Sequence, residues 1–359
     1  MKVQALPFLV LLFLNSCSKE QVPLEVEPER SYQMGFTSWS YGPNLEDVNA
    51  TYAFLETNGD IYAEHIDNTI PWNAWMNDEA LPTAFTNEIT GRVNRRMSGH
   101  SLLLSVSALN LGRDDLALDV DGTIPAYTHL DDESIRNAYF KHINYLVDAF
   151  APDYLVISIE SNELRLKSPE KWDGFTALIS DVKSRIEVLY PNLKIAESIS
   201  VHNIYEPDVA DPASYIADVF KQINQHDFAA ISFYPFLKNL STASEFQAVF
   251  DFIHANTTLP IAFAETAHIA ENLVIPNLNV SIDGDPSNQN SYLETLLQNA
   301  EQQDYAFIVW WAHRDFDALW ETFSEEVRDL GQIWRDTGLL DENGTERPAF
   351  GTWSATFRE

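Results

Sequence analysis

Short apolar runs and amphipathic stretches take turns along this chain from residue 34 to the C-terminus. Runs at 34–38, 61–66, 102–108, 154–159, 193–200, 229–233, 260–264 and 305–310 are apolar with little alternation. That is the pattern of strands buried on both faces, as in parallel sheets. Between them lie stretches with apolar residues at helical spacing, and 131–150 shows it best. There Ile135, Ala138, Tyr139, His142, Tyr145, Leu146 and Ala149 recur on one face. Further helices are predicted over 45–58, up to about 97, after Pro169, and over 213–224, 241–255, 288–303 and 323–334.

Eight strand–helix units joined by right-handed crossovers can close into a (β/α)8 TIM barrel, and a chain of 359 residues is long enough for one. An open doubly wound sheet is the alternative. It usually carries a glycine-rich phosphate-binding turn after its first strand, whereas the turn here reads SWSYGPN. No internal repeat or low-complexity tract marks a second domain, so 32–359 is read as one α/β catalytic domain. The loops after the second, third and seventh strands are long, and long βα loops of a barrel gather at one face.

The first residues follow another logic. Met1-Lys2 supplies a positive charge, and Leu6 to Leu14 form an apolar segment too short to span a bilayer. Leu14-Asn15-Ser16-Cys17 resembles a bacterial lipoprotein signal, and Cys17 is the only cysteine in the chain. The reading is a signal peptide over 1–17, lipid attachment at Cys17 and a polar, Glu-rich tether over 18–31. It implies a monomeric domain held outside the cytoplasm at the bacterial cell envelope, touching membrane through its lipid alone. Membrane association that persists in a Cys17→Ala variant would refute it. The formal charge of −32 disfavours nucleic acid or anionic lipid as partner and favours a neutral or near-neutral glycan.

Chemistry concentrates at the C-terminal ends of the predicted strands. The fourth strand runs into ISIESNEL, with Glu160, Asn162 and Glu163, and the seventh, IAFAETAH, ends at Glu265. Two carboxylates at a barrel mouth suit glycoside hydrolysis, one as acid and the other as nucleophile or base. At these residues the chain resembles the clan A glycoside hydrolases, retaining TIM-barrel enzymes marked by Asn-Glu after strand four and Glu on strand seven. Asn162-Glu163 and Glu265 fit that pattern. ISIESNEL, DFAAISFYPFL, FAETAH, SNQNSYLETLLQNAEQQDYAFIVWWA and LLDENGTERPAFGTW are most similar to family 53, the arabinogalactan endo-β-1,4-galactanases. The first half departs from it: the Arg-rich second strand of that family is replaced by IYAEHIDNTIPWNAW.

The resemblance implies a retaining, cofactor-free endo-glycosidase of a β-linked polysaccharide, with β-1,4-galactan first and β-1,3-glucan or mannan next. Glu163 is the expected acid/base and Glu265 the expected nucleophile. Glu160 competes with Glu163, but strand alternation and the lack of a preceding Asn favour Glu163. Asn162, Tyr234, Trp310, Trp39, His65, Asp67 and Trp72 are the expected substrate-binding residues. Trp310 is preferred over Trp311 as a sugar platform because only one of the pair can face the mouth. His202, His268 and His313 also follow strands, but no HxH or HExxH spacing supports a metal site. No Gly-x-Ser-x-Gly elbow supports serine chemistry. A non-catalytic glycan-binding lipoprotein is the remaining alternative, and the presence of both carboxylates argues against it.

Overall fold

The computed structural model describes residues 30–67 and 69–358. The expected signal peptide, Cys17 and nearly all of the expected tether lie outside the described residues. The chain closes eight parallel strands into a barrel: β1 (Gln33–Thr37), β2 (Ile61–Ile66), β3 (Ser101–Val106), β4 (Tyr154–Ser158), β5 (Lys194–Ser200), β6 (Ala229–Phe233), β7 (Ile261–Thr266) and β8 (Phe307–Trp310). Neighbours in sequence are neighbours in the sheet, and β8 closes on β1 through Gln33↔Phe307 to Phe36↔Trp310. This is the (β/α)8 fold that the alternation predicts, as a single domain.

The barrel interior is a small, separate core. Ile61, Ala63, Leu103, Val156, Ala196, Ala230, Ala262, Ala264 and Val309 fill it, with Phe228 and Phe307 beneath. The small residues are what a narrow barrel admits. Gly35 is required on β1: a Cβ there would fall 1.6 Å from the carbonyl oxygen of Ile61 on β2. The outer faces of the strands carry Met34, Phe36, Leu102, Leu104, Leu155 and Ile157, which pack under the helices. Helix starts are locally encoded. Thr242 and Glu245 form a capping box at Ala243–Asn256, and Asp285 caps Pro286–Gln302.

Three features add to the sequence reading. The second crossover contains two helices, Trp72–Asn77 and Thr83–Val93. An antiparallel hairpin, Leu273–Ile275 against Val280–Ile282, is inserted after β7. A last helix, Pro348–Phe357, packs back on the start of the barrel, where Trp353 meets Phe36 and donates its indole N–H to the Asn58 carbonyl. No helix among the described residues is long and apolar enough to cross a membrane.

Candidate active site

The cleft at the C-terminal ends of the strands holds about 380 Å³. Its polar lining is Asp67, Arg113, Glu160, Tyr234 and Glu265, and its aromatic lining includes Trp39, Trp311, Phe316, Phe323 and Trp334. The glutamate that shares it with Glu265 is Glu160. Glu163 is not among the lining residues.

Strand geometry explains this. On β4, Tyr154 and Val156 point into the barrel, a register shift against β5 follows between Val156 and Ser158, and Ile159 is the next residue in the interior core. Simple alternation therefore does not bring Glu160 to the cleft; the bulge and the turn after Ile159 do. Glu160 itself sits at φ 51°, a left-handed conformation that is unusual for a non-glycine residue. Its N–H donates to the Ser198 hydroxyl at 2.9 Å. After that turn the chain enters the helix Asn162–Lys167, and Glu163 swings aside. There it accepts from the Asn203 amide at 2.6 Å and lies 3.1 Å from the Lys167 ammonium. Asn162 is buried beneath the site: it accepts from the Ser200 N–H at 2.7 Å and donates to the Ser200 carbonyl and the Tyr215 hydroxyl. It ties β4 to β5 and does not face the cleft.

On β7, a register shift against β6 lies between the pairs Ile231↔Phe263 and Ser232↔Glu265. Ala262 and Ala264 face the interior, and the bulge lets Glu265 face inward too. The Tyr234 hydroxyl donates to Glu265 at 3.3 Å, and His65 Nε2 lies 3.5 Å from the same oxygen. Ser232 donates to Glu160 at 2.8 Å. Arg113 reaches in from the loop after β3, its Nε 3.5 Å from Glu160 and its Nη2 3.4 Å from Asp67.

The two carboxyls differ in proton affinity. Burial pushes Glu160 up to about 7, the Glu265 charge adds to this, and Arg113 offsets part of it. Burial also acts to raise Glu265, but His65, the Ser232 hydroxyl and Arg113 outweigh it and hold the carboxyl below its ordinary value. Burial, followed by the Glu265 charge, raises the Tyr234 phenol well above its usual range, so it stays a donor. Near pH 7 the half-buried Glu160 thus still holds a large share of its proton, while the buried Glu265 is ionised.

A stability prediction follows from the Glu160 shift. Its folded-state value exceeds the ordinary 4.5, so the fold resists its ionisation. The penalty is absent below pH 4.5 and complete above about pH 7. A Glu160→Gln variant is expected to match the wild type in thermal melts at pH 4.5 and to melt higher at pH 8. The gain is at most about 3 kcal/mol, less whatever Arg113 loses. Equal or lower melting at pH 8 would contradict the assigned shift.

The tryptophans divide clearly. Trp310 is fully buried, donates to the Thr337 carbonyl at 2.9 Å and packs on Tyr292. Trp311 lines the cleft, with its ring 5.2 Å from Trp39 and 5.1 Å from His65. The platform preference therefore passes from Trp310 to Trp311, because the odd positions of β8 face inward: Phe307 and Val309 do so in the strand. Trp310→Ala is expected to cost about 3–5 kcal/mol of stability in denaturant unfolding. Trp311→Ala is expected to keep the fold and raise KM. Trp72 is also core, with its indole N–H on the Ala117 carbonyl at 2.8 Å. Trp39, Asp67 and Tyr234 line the cleft, and His65 touches Glu265 from beside it.

His202, His268 and His313 are each buried against local partners or rings. Among the described residues they join no cluster that could hold an ion. Arg113 was not anticipated. It lies on a loop of more than 20 residues between β3 and the helix Glu133–Phe150, and only the fold brings it to the carboxylates.

No protein-family model matches the sequence, and no curated protein matches it significantly. Solved structures do. One is a GH5_18 protein of Bifidobacterium longum subsp. longum, in complex with Manb1-4GlcNAc: 12% identity, TM-score 0.66, covering 91% of this chain and 78% of that one. Another is the GH53 catalytic domain of Ignisphaera aggregans: 17% identity, TM-score 0.59, covering 94% and 98%. A third is an exo-β-1,4-mannosidase of Opitutaceae bacterium strain TAV5: 12% identity, TM-score 0.64, covering 91% and 59%. The likeness is one of fold. It spans more than one glycoside hydrolase family and leaves the family of this chain open.

Proposed function

We propose that this protein is a retaining β-glycosidase in which Glu160 is the acid/base and Glu265 the nucleophile. The observation that carries the reading is the pair itself: a half-buried and a buried carboxyl in one cleft, one pushed up to about 7 and the other held low. Glu160 protonates the leaving oxygen while Glu265 attacks the anomeric carbon. Glu160, now ionised, then takes a proton from the water that releases the sugar. Arg113 stays cationic between Asp67 and Glu160 and holds both in place. The Tyr234 hydroxyl steadies the nucleophile until it bonds to carbon.

The binding side supports the same reading. The indole N–H groups of Trp39, Trp311 and Trp334, all on cleft-lining residues, have no protein acceptor. Buried donors without partners call for an explanation, and the hydroxyls of a sugar supply acceptors. Trp311 beside Trp39 offers ring faces to a pyranose. β-1,4-Galactan heads the substrate panel because of the family 53 resemblance. Manno-oligosaccharides stand beside it, since structural neighbours carry or cleave β-1,4-linked mannose by name.

The test is a panel of β-1,4-galacto-, β-1,4-manno- and β-1,3-gluco-oligosaccharides, with the anomer of the first product followed by NMR. Retained configuration is expected, and product lengths separate internal from terminal cleavage. Inversion overturns the mechanism. Binding to a panel member without cleavage of any would return the glycan-binding alternative.

A further inference from the structure

The cleft is polar at its floor and apolar at its rim. Arg113, Tyr234 and Glu265 are buried, at 6%, 2% and 8% exposure. Above them Leu111, Val327 and Leu330 line the same cleft at 49%, 39% and 39% exposure. Leu111 comes from the loop after β3. Val327 and Leu330 come from the helix Glu325–Gln332, part of the segment that follows β8. The rim continues onto the hairpin after β7. There the Asn277 amide donates to Asp329 at 2.8 Å, and Val274 and Leu278 are again exposed.

Exposed aliphatic side chains gathered around one cleft ask for an apolar occupant. Val and Leu offer neither a ring face nor a hydrogen bond to sugar hydroxyls, so a sugar in the cleft is held by its aromatic rings and these aliphatic side chains are left to an apolar group. The occupant's position follows from the chemistry. The sugar that is attacked must reach the carboxylates at the buried floor, so the group it is attached to extends toward the exposed rim. We infer that the leaving group of the preferred substrate is largely hydrocarbon: the protein cleaves β-glycosides of an apolar alcohol, with the alcohol chain lying against Leu111, Val327 and Leu330. The inference rests on the glycosidase reading. In the step itself the bond from the anomeric carbon to the alcohol oxygen breaks, the alcohol leaves with the proton of Glu160, Glu265 takes the sugar, and water releases it.

The experiment compares methyl and octyl β-glycosides of several sugars, each below its micellar concentration, with the purified described domain. Burying part of an octyl chain is expected to raise kcat/KM at least roughly tenfold over methyl. In a Val327→Thr, Leu330→Gln double variant, checked for folding by thermal melt, that ratio is expected to fall toward one. Val188→Thr, at a highly exposed apolar position on the outer helix Trp172–Leu189, should keep it. Cleavage with no preference for octyl, or a preference that survives the double variant, overturns this inference alone. Cleavage of no glycoside overturns the glycosidase reading and this inference with it. Rates indifferent to the alkyl chain, with a double variant that turns a dimer into a monomer, would make the rim a contact between copies of the chain.

Discussion

Replacing Glu265 with Gln is expected to abolish turnover of every glycoside the wild type cleaves, by about 10⁴-fold or more in kcat. Gln is isosteric and keeps acceptor and donor atoms for Tyr234 and His65, so the cleft should survive. What is lost is the carboxylate proposed to form the bond to carbon. Glu160 does not substitute for it: as the proposed acid it must deliver a proton to the leaving oxygen, so using it to attack leaves the first step without that proton. The same substitution also separates mechanism from sequence motif. Glu163→Gln removes an acid that pairs with Lys167 and accepts from Asn203 outside the cleft lining. It is expected to lower the melting temperature and leave kcat within about tenfold of wild type, since no interaction with the transition state goes with it. The measurement is steady-state kinetics on both variants, with melts to confirm folding. Turnover retained in Glu265→Gln, or lost in a folded Glu163→Gln, would reverse the assignments.

The frame was legible because it repeats. Strands buried on both faces leave continuous apolar runs, and 61–66 and 229–233 coincide with β2 and β6 to the residue. Glu265 was legible for a related reason: an acid after four apolar residues on a buried strand needs a partner or a task. The second glutamate of the cleft was harder. Asn162-Glu163 matches a two-residue motif, but local resemblance says nothing of where a strand stops. The chain turns at Glu160 through a left-handed residue, so by Asn162 it is already helical and the side chains point elsewhere. Strand parity alone could not place Glu160 either. Tyr154 and Val156 face the barrel interior, but the bulge that follows moves the inward face by one to Ile159, and Glu160 reaches the cleft through its left-handed turn. Trp310 and Trp311 posed the same one-residue ambiguity, and a slip of one exchanges the two faces of a strand. Arg113 had no local signature at all. Its contact with residues some 45 positions away on either side comes from the way the β3 loop folds over the mouth. The clue within reach was position alone: a basic residue on a long βα loop, in a very acidic chain.

Removing the acid/base while sparing the nucleophile is expected to leave a more informative trace. In Glu160→Ala, substrates with poor leaving groups should be nearly inert, because nothing protonates the departing oxygen. An activated aryl glycoside needs little protonation, so Glu265 should still attack it and the covalent sugar should accumulate for want of a base. A burst of phenol followed by a slow steady state is the expected kinetic form. Azide needs no base, and it should restore turnover and yield a β-glycosyl azide of retained configuration. The pH profile should change as well. In the wild type, kcat/KM is expected to fall as pH rises through about 7, where Glu160 loses its proton, and to fall at acid pH as Glu265 gains one. The alkaline limb should vanish in Glu160→Ala with the aryl substrate, since no acid remains to titrate, while the acid limb stays. If instead azide rescued Glu163→Ala, or the alkaline limb survived the loss of Glu160, the acid would sit one helical turn further on, and the cleft geometry would have misled the assignment.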